Sequence, residues 1–314
     1  MDLRRVAEKI LKENLKFSAS ENFLVLFDNN KRLIAEALLL EARKISSEAD
    51  WWEIPVGKVN GEEPKKDVAD MMRNYDVIII ATTKSLSWTK ARKEAVEYGA
   101  RIASMPGITE DILLRTMEAD YEKIRERTKK IIDFLKGKKE MRLITRLGTD
   151  LVLKINPKIY GEDSGIYDKE GKWGNLPAGE AFFAPFEVNG TVVIDASFAG
   201  IGKLDEPIKI EVENSRAVKF EGGPQAEELK FMVDKFGEKG KIIAELGIGT
   251  NDKAEITGKI IEDEKSFGTV HIALGRNSLF GGTNDVGIHV DGVITKPTIY
   301  VDDIFLMEDG ELKI

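Results

Sequence analysis

Cysteine is absent from the 314 residues. Disulfides, thiolate ligands and cysteine nucleophiles are excluded with it, so a metal held by side chains must take nitrogen and oxygen donors. Histidine is nearly absent: the chain has two, His271 and His289. No apolar run approaches the ~20 residues that span a bilayer, and the opening segment MDLRRVAEKILKENL has the pattern of a charged amphipathic helix without an apolar signal core. A basic face is missing as well. The 47 Lys and Arg are interspersed among 55 Asp and Glu, for a net charge of −8, which argues against nucleic acid and anionic membrane as partners. No GxGxxG follows the first strand-like run and no GxxxxGK[ST] occurs, so no phosphate-cradling loop is announced. These absences leave a cytoplasmic protein acting on a peptide or small molecule, and the many Lys and Glu with no Cys fit a thermophilic source.

The length exceeds what one hydrophobic core ordinarily serves, so two domains are expected. In the first half, FLVLF (Phe23–Phe27), WWEIPV from Trp51, DVIIIAT (Asp76–Thr82) and ARIASM (Ala100–Met105) read as strands. Stretches with helical spacing separate them, and DVIIIAT is apolar on both faces, as a central parallel strand covered by helices must be. The order β-α-β-α-β-α-β-α predicts an α/β domain with an open, doubly wound parallel sheet over residues 1–137. ATTKSLSWT (Ala81–Thr89) falls at the carboxyl end of the third strand, where Lys84, Ser85 and Ser87 are either ligand contacts or, as preferred here, a polar loop whose serine caps the next helix. A charge-rich helix from about Glu118 to Leu135 ends at Gly137, and the basic GKKE that follows marks the boundary.

Residues 138–314 read as an α+β domain rich in β-structure, with one evident helix beginning at Pro224. Both histidines lie here, between Lys241 and Val293, each on a short apolar run. His289 and Asp291 are two residues apart, so on a strand imidazole and carboxylate share a face. Glu245 sits in IIAELGI, where a carboxylate is costly to bury unless it is paired, protonated or bound to a cation. A single histidine in a core strand is usually a hydrogen-bonded structural residue; two histidines, an HxD strand and a buried acid in one segment point instead to a metal site. Glu180, in WGNLPAGEAFFAPFE, is by its spacing either a further ligand or a turn glutamate after Pro177 and Gly179.

LPAGEAFFAP, IAELGIG, HIALG and HVDGV, in that order over residues 175–293, resemble the metal-binding motifs of the aminopeptidase T and aminopeptidase S family of two-metal aminopeptidases. The resemblance implies metal ligands at Glu180, Glu245, His271, His289 and Asp291. It also implies two divalent ions, zinc or cobalt, sharing carboxylates, and a homodimer. The expected activity is removal of N-terminal residues from peptides by a metal-activated water, with Glu180 or Glu245 carrying the proton to the leaving amine. Ser278 stands where that family has a tyrosine, so the phenol that would steady the oxyanion is missing, and Asn277 or Asn284 is the substitute donor to consider. GGTNDVGIHVD (Gly281–Asp291) is also similar to iron-dependent ring-opening dioxygenases of dihydroxypyridines. That similarity implies one Fe(II) on His271, His289 and Asp291. The carboxylate count, with Glu180 and Glu245 both present, favours two divalent ions and hydrolysis. A third reading is a non-catalytic binding or assembly module whose site is vestigial.

Overall fold

The computed structural model describes residues 2–156 and 161–314, the side chain of Leu279 excepted. The chain divides into two compact units: residues up to Arg125 with Asp163–Ala178, and Glu126–Glu162 with Gly179–Ile314. The boundary read from sequence, after Gly137, lies inside the second unit. Gly137 itself follows the helix Tyr121–Leu135 with φ 76°, the left-handed residue that ends a helix.

In the first unit β1 (Phe23–Asp28), β2 (Ala49–Ile54), β3 (Val77–Ala81) and β4 (Arg101–Ser104) alternate with helices, and the sheet order is β2-β1-β3-β4 with every pairing parallel. Strand alternation explains why β1 is buried at each residue. Phe23, Val25 and Phe27 enter one apolar cluster with Ile34, Leu38 and Ala42 of the helix Arg32–Ala42, while Leu24 and Leu26 enter another with Ala91 and Ala95 of the helix Lys90–Glu97. Helices therefore cover both faces, as the doubly wound reading requires. A fifth parallel strand, Trp173–Asn175, joins β4 from far along the chain. Three residues, WGN, carry no apolar run, which is why the sequence does not announce it. At the end of β3, Ser87 shares a 2.8 Å hydrogen bond with Ser104, the Ser87 amide donates to Ser85, and Thr89 rather than either serine caps the helix.

In the second unit the registered strand pairs are antiparallel, with one isolated parallel bridge between Asn251 and Ser266. Among the described residues one sheet has eight strands and another seven. Leu151, Leu153, Val192, Ile194, Ile208 and Ile210 of the first share a single apolar cluster with Leu246, Ile248, Val270, Ile272 and Leu274 of the second. Two sheets thus pack face to face around one core. The predicted helix runs Pro224–Asp234, with the proline in its first turn and Leu229 and Val233 buried in that core. Among the described residues no helix is long and apolar enough to cross a membrane.

One strand of the eight-stranded sheet, Glu187–Ile194, contains Gly190 at φ 124°, and a Cβ there would stand 2.2 Å from the Asp150 carbonyl oxygen of the neighbouring strand. Gly190→Ala therefore meets both a disfavoured backbone and an immovable neighbour. At Gly137, φ 76°, an added Cβ has nothing within 4 Å, so Gly137→Ala should lose only the ~1–2 kcal/mol of a left-handed residue. Urea unfolding should show a clearly lower midpoint for the first variant than for the second. Equal midpoints would mean that the close approach to Asp150 costs nothing.

Candidate metal centre

Four strands of the seven-stranded sheet build the site: β5 (Glu180–Phe183), β6 (Ile243–Gly249), β7 (Thr269–Gly275) and β8 (His289–Thr295). Their order is β8-β7-β6-β5. Glu180 pairs with Gly249, His271 with Gly247 and with Val293, Ala273 with Glu245 and with Asp291, and Gly275 with His289. One face of the ladder therefore alternates side chains that bear nitrogen or oxygen donors with glycine and alanine. The other face, with Leu246, Ile248, Val270, Ile272, Leu274, Val290 and Ile294, belongs to the core. The two faces would fall out of phase on β6 but for a bulge: Ile243 pairs with Leu274 and Glu245 with Ala273, leaving Ala244 as the extra residue. The bulge lets Ile243 enter the core while Glu245, two residues on, turns to the site.

The small residues make the room. A Cβ on Gly247 would lie 2.1 Å from both Cε1 and Nε2 of His271, and one on Gly249 would lie 2.0 Å from the Ser266 carbonyl oxygen. Glycine at both positions admits the imidazole and the crossing chain.

The donors then converge. His271 Nε2 is 3.2 Å from Glu180 Oε2 and 3.8 Å from Glu245 Oε1; His289 Nε2 is 3.3 Å from Glu245 Oε2 and 3.4 Å from Asp291 Oδ1. Among the described residues two three-donor groups result, Glu180–Glu245–His271 and Glu245–His289–Asp291, joined by the shared Glu245. With metal–donor bonds of about 2.0–2.2 Å, neighbouring donors stand about 3 Å apart, close to these separations. The acid count also suits a cation, and Glu180 Oε2 is buried against the His271 imidazole, 3.2 Å away. The site residues read from the sequence thus lie together on one face. The triad His271, His289 and Asp291 does not form a group of its own in this structure; each imidazole sits with carboxylates, and Glu245 lies between.

Charge sets the protonation. Burial would depress both imidazoles, yet hydrogen bonds and the field of Glu180, Glu245 and Asp291 raise them well above the ordinary histidine value. Burial pushes Asp291 up, but His289 outweighs it and holds the carboxyl near a pKa of about 2. His289 is oriented from behind: its Nδ1 is 2.7 Å from the Arg276 carbonyl oxygen, so Nδ1 carries the proton and Nε2 faces the carboxylates.

Two further residues belong here that the sequence reading passed over. Lys265 is 1% exposed, with Nζ 2.6 Å from Glu180 Oε1 and 2.9 Å from Glu264 Oε1. Glu180 is pushed up by burial, but the Lys265 charge and His271 bring it down to about 2; Glu264 is driven by burial up to about 7 against the same lysine. In the sequence both stand in IIEDEKSFG, which has the composition of a solvated surface segment. Aromatic rings flank the cluster: Phe280 lies edge-on to His289 and to Phe182, with centroids 5.8 Å apart in each case. Ser278 Oγ bonds Asp285 at 3.2 Å. The Asn284 side-chain amide donates to the Gly275 and Lys239 carbonyls, while Asn277 Oδ1 accepts from the Asn284 amide. Both asparagines are thus engaged in holding the loop.

The model of the NicX family, 2,5-dihydroxypyridine 5,6-dioxygenase, matches residues 14–314. No curated protein matches the chain. Among solved structures, 2,5-dihydroxypyridine dioxygenase from Pseudomonas putida KT2440 is similar with a TM-score of 0.85 at 18% identity, over 99% of this chain and 96% of that one. Wild-type AmpT from Thermus thermophilus is similar with a TM-score of 0.75 at 17% identity, over 99% of each chain. At such identities both likenesses show a common fold. The family match overturns the expectation of a metallo-aminopeptidase, and with it the hydrolase chemistry and the proton transfer by Glu180 or Glu245 to a leaving amine. The error has a physical source: AmpT shares the fold, so motifs that mark the donor-bearing strands do not separate the two chemistries. With all but the first residues matched, the chain belongs to the NicX, 2,5-dihydroxypyridine 5,6-dioxygenase, family.

Proposed function

We propose that this protein is an Fe(II)-dependent dioxygenase that opens the ring of a dihydroxypyridine-like aromatic. The observation that carries the reading is the pair of imidazole Nε2 atoms facing the two oxygens of Glu245 beside Asp291, in a chain matched almost throughout by a family named for that reaction. His271, His289 and Asp291 would hold the ion as a face of two histidines and one carboxylate, and the Glu245 carboxylate, which lies between the two imidazoles, would have to turn aside for the ion to reach both. Bound there, Fe(II) supplies the electrons and open positions that bring oxygen and an aromatic diol together.

The chain's own groups do the rest. The Arg276 carbonyl fixes His289 in the tautomer whose Nε2 lone pair faces inward. Glu245 Oε2, 3.3 Å from that nitrogen, is the acceptor placed for the proton that a ring hydroxyl gives up on binding. Phe280 and Phe182 offer apolar edges against which a flat ring packs and from which water is excluded. In the reaction one ring carbon–carbon bond breaks and both atoms of O2 end in the opened product.

Protein loaded with Fe(II) without oxygen, then mixed with oxygen and 2,5-dihydroxypyridine, should consume one O2 per ring lost and place label from 18O2 at two positions of the product. Absence of oxygen uptake with every dihydroxypyridine tried would overturn the reading. His289→Ala and Asp291→Ala should each abolish this uptake while keeping the far-UV spectrum, since the apolar core lies on the opposite face of the ladder; full turnover in either would remove that residue from the centre. Gly247→Ala should displace the His271 ring and weaken metal affinity by about 10-fold or more, the scale on which misoriented ligands act. Wild-type affinity in this variant would show that His271 takes no part.

A further inference from the structure

Lys265, 1% exposed, is a buried cation beside the metal centre to which the proposed chemistry gives no part. It is not a surface residue that happens to touch the site. Glu262 and Asp263, both fully buried, accept hydrogen bonds from the Glu255, Thr257 and Gly258 amides and so fix the turn that precedes it. The Lys265 amide donates to the Glu262 carbonyl at 2.9 Å, and the Lys265 carbonyl accepts from the Asn251 amide at 2.8 Å. Gly249 lets the next residue, Ser266, cross directly over β6. The backbone on both sides is held, and the side chain has one direction to go.

Its ammonium ends between Glu180 Oε1 and Glu264 Oε1, at 2.6 and 2.9 Å. A carboxylate taken out of water needs a counter-charge, and either a metal ion or an ammonium meets that need. Glu180, which the lysine touches at 2.6 Å, belongs to the group Glu180–Glu245–His271. A divalent ion bound to Glu180 Oε2 would stand one carboxylate's breadth from the ammonium on Oε1, cation against cation in a dry interior.

We infer that Lys265 acts as a fixed second cation, so that the centre takes one divalent ion where the same donors without the lysine would take two. This rests on the reading that the centre binds a divalent metal, not on the reaction assigned to it. Lys265 is a positioning residue: it acts through Glu180 and touches no substrate.

The test counts metal in the full-length protein by equilibrium dialysis against Zn(II), without oxygen or substrate. Wild type should hold one ion per chain, Lys265→Met two, and Lys265→Met with Glu180→Gln one again, because the unbalanced carboxylate is gone. Two ions in wild type would overturn the inference, and so would one ion in folded Lys265→Met. If Lys265→Met folds only when Zn(II) is added and then holds two, the ion has replaced the ammonium and the inference stands. If it does not fold at all, Lys265→Gln, which keeps a hydrogen-bond donor toward Glu180 but not the charge, decides: two ions support the inference and one refutes it. The outcomes also separate this inference from the dioxygenase reading. One ion in a wild-type protein that consumes no oxygen sinks the reaction and leaves the lysine's role; two ions in an active dioxygenase do the reverse.

Discussion

Three carboxylates, Glu180, Glu245 and Asp291, are 6, 7 and 9% exposed within one strand ladder, and the second unit is arranged around their need for positive charge. Left unpaired in a dry interior, such groups destabilise a fold by several kcal/mol each. Two imidazoles and Lys265 answer part of that need. With both imidazoles neutral, as metal ligands must be, Lys265 leaves two of the three carboxylates without a counter-charge, and a divalent cation is what would meet that excess.

The ladder can hold this charge because it has two unlike faces. Its core face is a continuous row of Leu, Ile and Val packed against the eight-stranded sheet, and that burial stabilises the strands independently of whatever the other face carries. The donor face gives up packing in return for function, with glycine or alanine opposite nearly every ligand. The bulge at Ala244 is where these demands meet, since the chain must supply a core isoleucine and a site glutamate two residues apart.

How much of this was legible in the sequence follows from the range of each interaction. The parallel sheet was readable because β1 and β3 are apolar throughout, and local composition suffices to declare a strand buried on both faces. The HxD pair was readable because its geometry is local, two residues on one strand. Glu245 stood out as a lone acid in an apolar run. Lys265 did not, because its contact with Glu180 spans 85 residues and its own neighbours are charged. The strand Trp173–Asn175 was missed for the same reason: its pairing with β4 is set by tertiary placement, not by its three residues. The reaction was misread at a different level. Glu180 and Glu245 were counted as charge available to two ions, a count that left out the buried ammonium beside Glu180.

The loop from Arg276 to Ile288 shows why a fold of this kind supports different chemistries. Sequence placed a serine where a related family has a phenol and treated the change as a loss. In the structure Ser278 ties the loop to Asp285, Asn277 and Asn284 brace it from within, and the ring presented to His289 belongs to Phe280. A phenol would offer a hydrogen-bond donor to a developing oxyanion; a phenyl edge offers none and instead favours a flat apolar partner. The strands gather donors fit for a cation, and the residues of the loop, Phe280 beside His289 among them, set the surface that a partner of that cation would meet.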